Sequence, residues 1–267
     1  MTEPVAIVTG GASGIGAACA ERLAADGFRV LVADVQAEPG RALARRLGGE
    51  FVPTDVTREA DIEALVDRAG AVDVFFANAG IFGALGPIEQ TDTAEADRTI
   101  AVNLRGTLLC LKHAVRVMRP RRRGSIIVTA SPGGVVGGVG PHVYSATKAG
   151  AAGLVRAVAA EVREYGIRVN SVVPGAIVSP MTAAVLAGGP ADLAAATQAM
   201  APSPLVGRPG APGDVAGAVS FLAGADSAFI TGTELFADAG YTHAPGPASF
   251  AKEKFAGPGA RRFSGPG

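Results

Sequence analysis

Tyr144 and Lys148 stand four residues apart in Tyr144-Ser145-Ala146-Thr147-Lys148, a spacing that puts a phenol and an ammonium on one face of a helix. A free phenol ionises near pH ~10, and a cation held beside it favours the phenolate. Such a pair can transfer protons near neutral pH, with Tyr144 as the acid and base and Lys148 tuning it. Many solvated helices carry the same spacing by chance. Its meaning therefore depends on the elements that position it.

Upstream of the pair, short apolar runs alternate with helical patterns. Val5 to Thr9 is followed at once by Gly10-Gly11-Ala12-Ser13-Gly14-Ile15-Gly16 and an alanine-rich helical pattern through Asp26. In the order strand, glycine loop, helix, the backbone can turn tightly and approach a pyrophosphate, whose charge the free N–H groups at the helix start attract. A purely structural turn would use the same glycines, but the next strand argues for a ligand. Arg29 to Ala33 ends in Asp34, a carboxylate suited to accept hydrogen bonds from a ribose diol. A 2′-phosphate there would meet a like charge, and neither the loop nor Val35 and Gln36 supplies a cation to offset it. The expected cofactor is NAD rather than NADP.

Further along, helices are predicted over residues 39–47 and about 59–69, with a strand near 50–53 between them. Asp55, followed by Val56, either caps this region or holds an adenine. A strand from Asp73 to Ala77 turns over the sheet edge at Asn78-Ala79-Gly80. A long helix is predicted from about Glu95 to Met118 with Asn103 in its middle, where an asparagine amide is expected to be held by something buried. Arg121-Arg122-Arg123 reads either as a solvated loop or as a site for phosphate or a carrier protein. Strand Ser125 to Ala130 ends at Ser131, and the glycine-rich Pro132 to Gly140 leads to a helix predicted from about Ser145 to Tyr165. Strand Ile167 to Val173 stops at Pro174-Gly175, and a last strand falls near Glu234 to Phe236.

Seven strands with interposed helices describe an α/β fold, a Rossmann-type doubly wound parallel sheet in a single domain over residues 1–243. Gly10 to Gly16, Asp34, Asn78, Ser131 and Pro174 all fall at the carboxyl ends of strands, where such sheets bind ligands. At 267 residues with 48% hydrophobic content, the chain can bury a large core. Zero formal net charge gives no field toward nucleic acid or a membrane surface, and neither is expected as a partner. Cys19 and Cys110 lie in apolar helical patterns without metal-ligand spacing, so they read as reduced core residues, with no metal site. The start of the chain resembles neither a signal peptide nor a membrane span, and a cytoplasmic protein is expected.

With these residues identified, the sequence resembles the short-chain dehydrogenase/reductase family over roughly residues 3 to 241. Thr9-Gly10-Gly11-Ala12-Ser13-Gly14-Ile15-Gly16 resembles its cofactor loop and Asn78-Ala79-Gly80 its Asn-Ala-Gly turn, and Ser131 precedes Tyr144 by the usual thirteen positions. Asn103, Ser131, Tyr144 and Lys148 match the catalytic tetrad. The resemblance implies that Tyr144 moves the proton, Ser131 hydrogen-bonds the reacting oxygen, Lys148 holds the nicotinamide ribose and lowers the phenol's pKa, and Asn103 anchors a water that refills the relay. Pro174-Gly175, Ile177 and Ser179-Pro180-Met181 resemble the segment that binds the nicotinamide carboxamide, with Ser179 where threonine is commoner. Two departures stand out: a short helix after Asp55, and Asp238-Ala239-Gly240 in place of Asp-Gly-Gly.

Gly133 to His142 and Tyr165 to Asn170 resemble the branch that includes xanthoxin, secoisolariciresinol and borneol dehydrogenases, which oxidise cyclic secondary alcohols with NAD. The resemblance places a substrate lid at about residues 179–206, here apolar with Asp192 as its one formal charge, which favours a neutral hydrophobic substrate. Pro132, Phe82, Met181 and Tyr241 are candidate wall residues beside Ser131 and Tyr144; His142 either touches substrate or makes a structural hydrogen bond. The small, sparsely charged helix after Tyr144 reads as buried on both sides, which implies a homo-oligomer, the family's tetramer, built on this helix and the one containing Asn103. The Pro/Gly-rich tail, residues 244–267, is expected to be disordered. The alternatives are a 3-oxoacyl carrier-protein reductase and a non-catalytic NAD-binding module.

Overall fold

The computed structural model describes residues 3–203 and 205–244, so the tail expectation lies outside the described residues apart from Ala244. Seven strands, β1 (Val5–Thr9), β2 (Arg29–Asp34), β3 (Glu50–Pro53), β4 (Val74–Ala77), β5 (Gly124–Thr129), β6 (Ile167–Pro174) and β7 (Glu234–Ala237), form one sheet in the order β3-β2-β1-β4-β5-β6-β7. Every pairing is parallel. Order reverses between β1 and β4, and this opens a crevice above the carboxyl ends of the strands.

Alternation along the strands divides the core between the two faces. Ile7, Phe75 and Ile126 point to the face covered by α3 (Glu59–Ala69), α5 (Gly106–Met118) and α6 (His142–Val162). Val8, Phe76 and Ile127 point to the face covered by α1 (Gly14–Ala25) and α9 (Pro212–Ala223), with Leu43 of α2 (Ala37–Leu47) at its edge. Burial on both faces explains why these strands are continuous apolar runs rather than alternating ones.

Two expectations need correction. The predicted helix from Glu95 to Met118 is α4 (Thr93–Ile100), a π-helical segment (Ala101–Arg105) and then α5. Within that segment the Gly106 N–H bonds the Ala101 carbonyl, one residue further back than α-helical pairing, and Asn103 faces the interior. The predicted helix from Ser145 instead starts at His142, because the Ser145 N–H closes a turn on the Pro141 carbonyl at 2.8 Å, and it ends at Val162 before a 3₁₀ turn through Tyr165. In the single chain α6 buries Thr147, Lys148, Ala151, Ala152 and Val155 and exposes Ala146, Ala149 and Ala157, so the second buried face expected for it is one that only another subunit could cover.

The arginine run forms internal ion pairs. Arg121 and Arg123 pair with Asp73 at 2.8 and 3.0 Å, while Arg119 and Arg122 lie over the Tyr165 ring. These cations brace the amino ends of the strands, on the edge opposite the crevice. Among the described residues no helix is long and apolar enough to cross a membrane, and no cluster of side chains has the composition of a metal site.

Candidate active site

A cleft of about 950 Å³ opens above the carboxyl edge of the sheet. Its wall includes Gly10, Ser13, Gly14 and Ile15 from the first loop, Asp34 at the tip of β2, and Asp55 and Val56 after β3. Asn78, Ala79 and Gly80 follow from β4, Ser131 and Pro132 from the end of β5, Tyr144 and Lys148 from α6, and Pro174, Gly175, Ile177, Ser179 and Met181 from the segment after β6. Phe82 and Tyr241 are also on the wall.

The glycine loop is shaped by close approach. Gly10 and Gly14 have φ of +63° and +52°, and a Cβ on Gly16 would lie 2.0 Å from the Gly10 carbonyl oxygen. Gly16 therefore packs the loop against its helix and does not itself reach the cleft. Ser13 is the N-cap of α1 but makes no capping bond, which leaves its hydroxyl and the first N–H groups of a 12-residue helix available to an anion. Asp34 accepts the Ala12 and Gln36 N–H groups, both at 2.9 Å, and is fixed across the loop from both sides. Asp55 closes a local turn by accepting the Thr57 N–H at 2.9 Å and hydroxyl at 2.8 Å; the N-cap of α3 is Arg58. The Asn78 amide donates to the Thr9 and Gly10 carbonyls and accepts the Thr129 hydroxyl at 3.0 Å, so its side chain ties the carboxyl ends of β1, β4 and β5 together.

Around the proposed proton-moving group, Tyr144 is 8% exposed and Lys148 5%. Phe82 packs on the Tyr144 ring with centroids 5.0 Å apart. Burial pushes the phenol's pKa up, and the Ser131 hydroxyl beside it pulls the other way. The Lys148 ammonium lies 5.6 Å from the centre of the Tyr144 ring and donates to the Thr129 carbonyl at 2.7 Å. Burial brings its pKa down to about 8. Burial rather than the expected lowering by Lys148 dominates the phenol's pKa in this geometry, and the ammonium bonds the Thr129 carbonyl rather than the phenol.

Asn103 lies behind the wall, not on it. Its Oδ1 accepts the Ile81 N–H at 2.9 Å, and its Nδ2 donates to the Ile81 carbonyl at 2.8 Å and to the Thr147 hydroxyl at 3.3 Å. The buried partner expected for the amide is therefore Ile81 together with Thr147, and both amide protons are committed before any water is considered. His142 is exposed at the start of α6 and is not on the cleft wall, a correction that follows from the earlier helix start. Ser179 caps α7 (Pro180–Leu186) by accepting the Thr182 N–H, so its hydroxyl has a structural duty as well as a place on the wall. The wall also includes Arg98, Ala101 and Val102, which the sequence reading passed over. Their i, i+3, i+4 spacing just ahead of Asn103 marks one helix face and was the available signal.

The comparisons with known proteins agree with this arrangement. A family model described as enoyl-(acyl carrier protein) reductase matches residues 10–242. A cis-4-hydroxycyclohexanecarboxylate dehydrogenase from Sinomonas cyclohexanicum is 43% identical, over 91% of this chain and 98% of its own. Xanthoxin dehydrogenase from Arabidopsis thaliana is 40% identical over 89% of each. A solved levodione reductase superposes with a TM-score of 0.83 at 35% identity, covering 91% of this chain and 99% of that one. The chain belongs to the short-chain dehydrogenase/reductase family of oxidoreductases, whose members bind a nicotinamide cofactor.

Proposed function

We propose that the protein is an NAD-dependent dehydrogenase that interconverts a hydrophobic, cyclic secondary alcohol and its ketone. The observation that carries this reading is the placement of Tyr144 and Lys148 on the wall of one cleft that also includes Ser131 and, at the tip of β2, Asp34. The cleft suits a dinucleotide: the uncapped helix start with its free Ser13 hydroxyl would hold the pyrophosphate, and the Asp34 carboxylate would accept hydrogen bonds from a ribose diol. When bound, the nicotinamide ring accepts or supplies the hydride.

In oxidation, Ser131 orients the alcohol oxygen and Tyr144 takes its proton as the carbon gives up hydride; reduction returns the proton from Tyr144 to the forming alkoxide. At neutral pH Lys148, with a pKa of about 8, is mostly protonated, and its charge favours phenolate once the site is closed from water. Phe82, Pro132, Met181 and Tyr241 supply an apolar wall suited to the ring of a cyclic alcohol, and relatives are named for 4-hydroxycyclohexanecarboxylate and xanthoxin.

The family model's description supports a second reading, a reductase of carrier-bound acyl groups. It fits less well, because Asp34 disfavours a 2′-phosphate and two of the three arginines of the run, Arg121 and Arg123, are paired with Asp73. A binding module without chemistry is disfavoured by the presence of all four tetrad residues.

We also infer a homo-oligomer, a tetramer in its fullest form. Ile100, Leu104 and Leu108 form an apolar hollow with Gly150, Gly153 and Ala157 that the single chain leaves open. Cys19 and Cys110, both free and buried, suit a reducing compartment such as the cytoplasm.

The test is reduced-nicotinamide absorbance with NAD and then NADP across a panel of cyclic secondary alcohols, with Tyr144→Phe run in parallel. Turnover with NAD that disappears in the variant supports the proposal. NAD binding without turnover of any alcohol would remove it.

A further inference from the structure

We propose that Thr147 is a positioning residue for Tyr144, locking the backbone that carries the phenol to Asn103 and to the loop after β4. The inference rests on the reading of Tyr144 as the proton-moving group.

The Thr147 side chain is buried between two partners from different parts of the chain. Its hydroxyl donates to the Tyr144 carbonyl at 2.7 Å and accepts from Asn103 Nδ2 at 3.3 Å. A threonine hydroxyl has one proton to give, so the order of donation is fixed: Asn103 gives to Thr147, and Thr147 gives to Tyr144. Threonines in helices often bond a carbonyl one turn back, and such a bond alone would only curve the helix. Here the same oxygen also takes a proton from a separate element, the π-helical segment, and the residue is 1% exposed.

Asn103 extends the lock. Its amide clasps both backbone groups of Ile81, the residue next to Phe82, whose ring packs on Tyr144. The phenol's ring is thus touched by Phe82 and its carbonyl by Thr147, with Asn103 joining the two. Space around this junction is tight: a Cβ on Gly80 would lie 3.3 Å from Asn103 Oδ1 and 3.6 Å from Lys148 Nζ. Gly140 also approaches the Tyr144 ring so closely that a Cβ there would come within 3.1 Å of Cδ1. With the ring hemmed by Phe82 and Gly140, release of the Thr147 bond would move the helix turn that carries Tyr144 and separate the phenol from Ser131.

The experiment compares Thr147→Val, which keeps the shape and removes the hydroxyl, with Thr147→Ser, which keeps the hydroxyl, and adds Thr147→Ala as a second hydroxyl-free variant in case valine prevents folding. Each is measured for kcat and KM against pH in alcohol oxidation, for NAD affinity, and for thermal unfolding. The expected result is a fall in kcat of about tenfold or more for Val and Ala, with NAD affinity within about twofold of wild type. The rising pH limb of kcat should move to higher pH, because Tyr144 loses the Ser131 hydroxyl that lowers its pKa, and Ser should restore both kcat and the limb. Wild-type kcat and pH limb in a folded Val or Ala variant would overturn the proposal, as would a Ser variant no better than Ala. Activity retained by Tyr144→Phe would instead refute the underlying assignment of the proton-moving group, and that outcome is read from a different protein.

Discussion

Lys148 Nζ donates its hydrogen bond to the Thr129 carbonyl, 2.7 Å away at the carboxyl end of β5. Thr129 in turn gives its hydroxyl to Asn78, whose amide holds the Thr9 and Gly10 carbonyls. Hydrogen bonds made by Thr129 and Asn78 thus link the buried ammonium to the glycine loop. The free protein holds Lys148 on the sheet edge, one carbonyl away from the network that shapes the cofactor loop.

Holding a buried ammonium costs stability, and this can be tested directly. The Lys148 pKa falls from 10.5 to about 8 because burial penalises its charge, so below about pH 8 the folded state bears the full penalty. As pH rises from about 8 to 10.5 the native amine loses its proton while the unfolded one keeps it, and stability from this group increases. Lys148→Met should therefore be more stable than wild type at pH 7, with a higher melting temperature, by on the order of 3 kcal/mol less the loss of the Thr129 bond. The advantage should shrink between pH 8 and 10.5, and the variant should be inactive. A lower melting temperature at pH 7 would show that the Thr129 bond outweighs desolvation.

Asp34 is the residue proposed to select NAD over NADP. Its carboxylate is held by the Ala12 and Gln36 N–H groups, so moving it aside for a 2′-phosphate would break both bonds. Asp34→Ala should raise the ratio of kcat/KM for NADP over NAD by about tenfold or more, worth ~1.4 kcal/mol. The variant also leaves two backbone donors without a partner, at ~1–3 kcal/mol each where buried, so both cofactors should bind less well. The ratio is the informative quantity, and an unchanged ratio would refute the charge argument for NAD.

The sequence made the edge of the sheet readable because apolar runs ended in residues unsuited to a strand interior: Gly10, Asp34, Asn78 and Ser131. Those breaks are local, and so were the strands and most helices. What escaped was long-range. Asn103 sits in a π-helical segment because its amide must reach both backbone groups of Ile81, 22 residues away, and no helical pattern encodes that demand. The place of His142 also depended on one turn closed at Pro141, which moved the start of α6 and turned the imidazole outward.

Ala239 marks a local departure that the structure explains as strain. Its φ is +52°, a left-handed conformation that costs a non-glycine residue ~1–2 kcal/mol. The turn is held there by Asp238, whose carboxylate accepts the Gly240 and Thr242 N–H groups, both at 2.9 Å, and whose Cα would lie 2.7 Å from a Cβ on Gly175. Ala239→Gly should relieve that strain, offset in part by the greater freedom of glycine in the unfolded chain. A net gain of ~0.5–1 kcal/mol is expected, or a few degrees in thermal unfolding. No rise in melting temperature would mean that the turn does not strain this residue.

The open hollow on α4, α5 and α6 makes the oligomer testable without disturbing the chain's own packing. Gly153 lies on it, and a Cβ there would meet nothing within 4 Å, whereas one on the neighbouring Gly150 would lie 2.9 Å from Leu104 Cδ1. Gly153→Glu therefore adds a charge to the hollow with no clash inside the subunit, and it replaces a poor helix former by a better one. Across a two-fold interface the substitution appears on both sides, so two carboxylates would be buried against an apolar surface. Sedimentation should show wild type as a tetramer and Gly153→Glu as a smaller species, with the isolated subunit's secondary structure unchanged by circular dichroism. A variant that sediments as wild type would place the subunit contact on another face of the molecule.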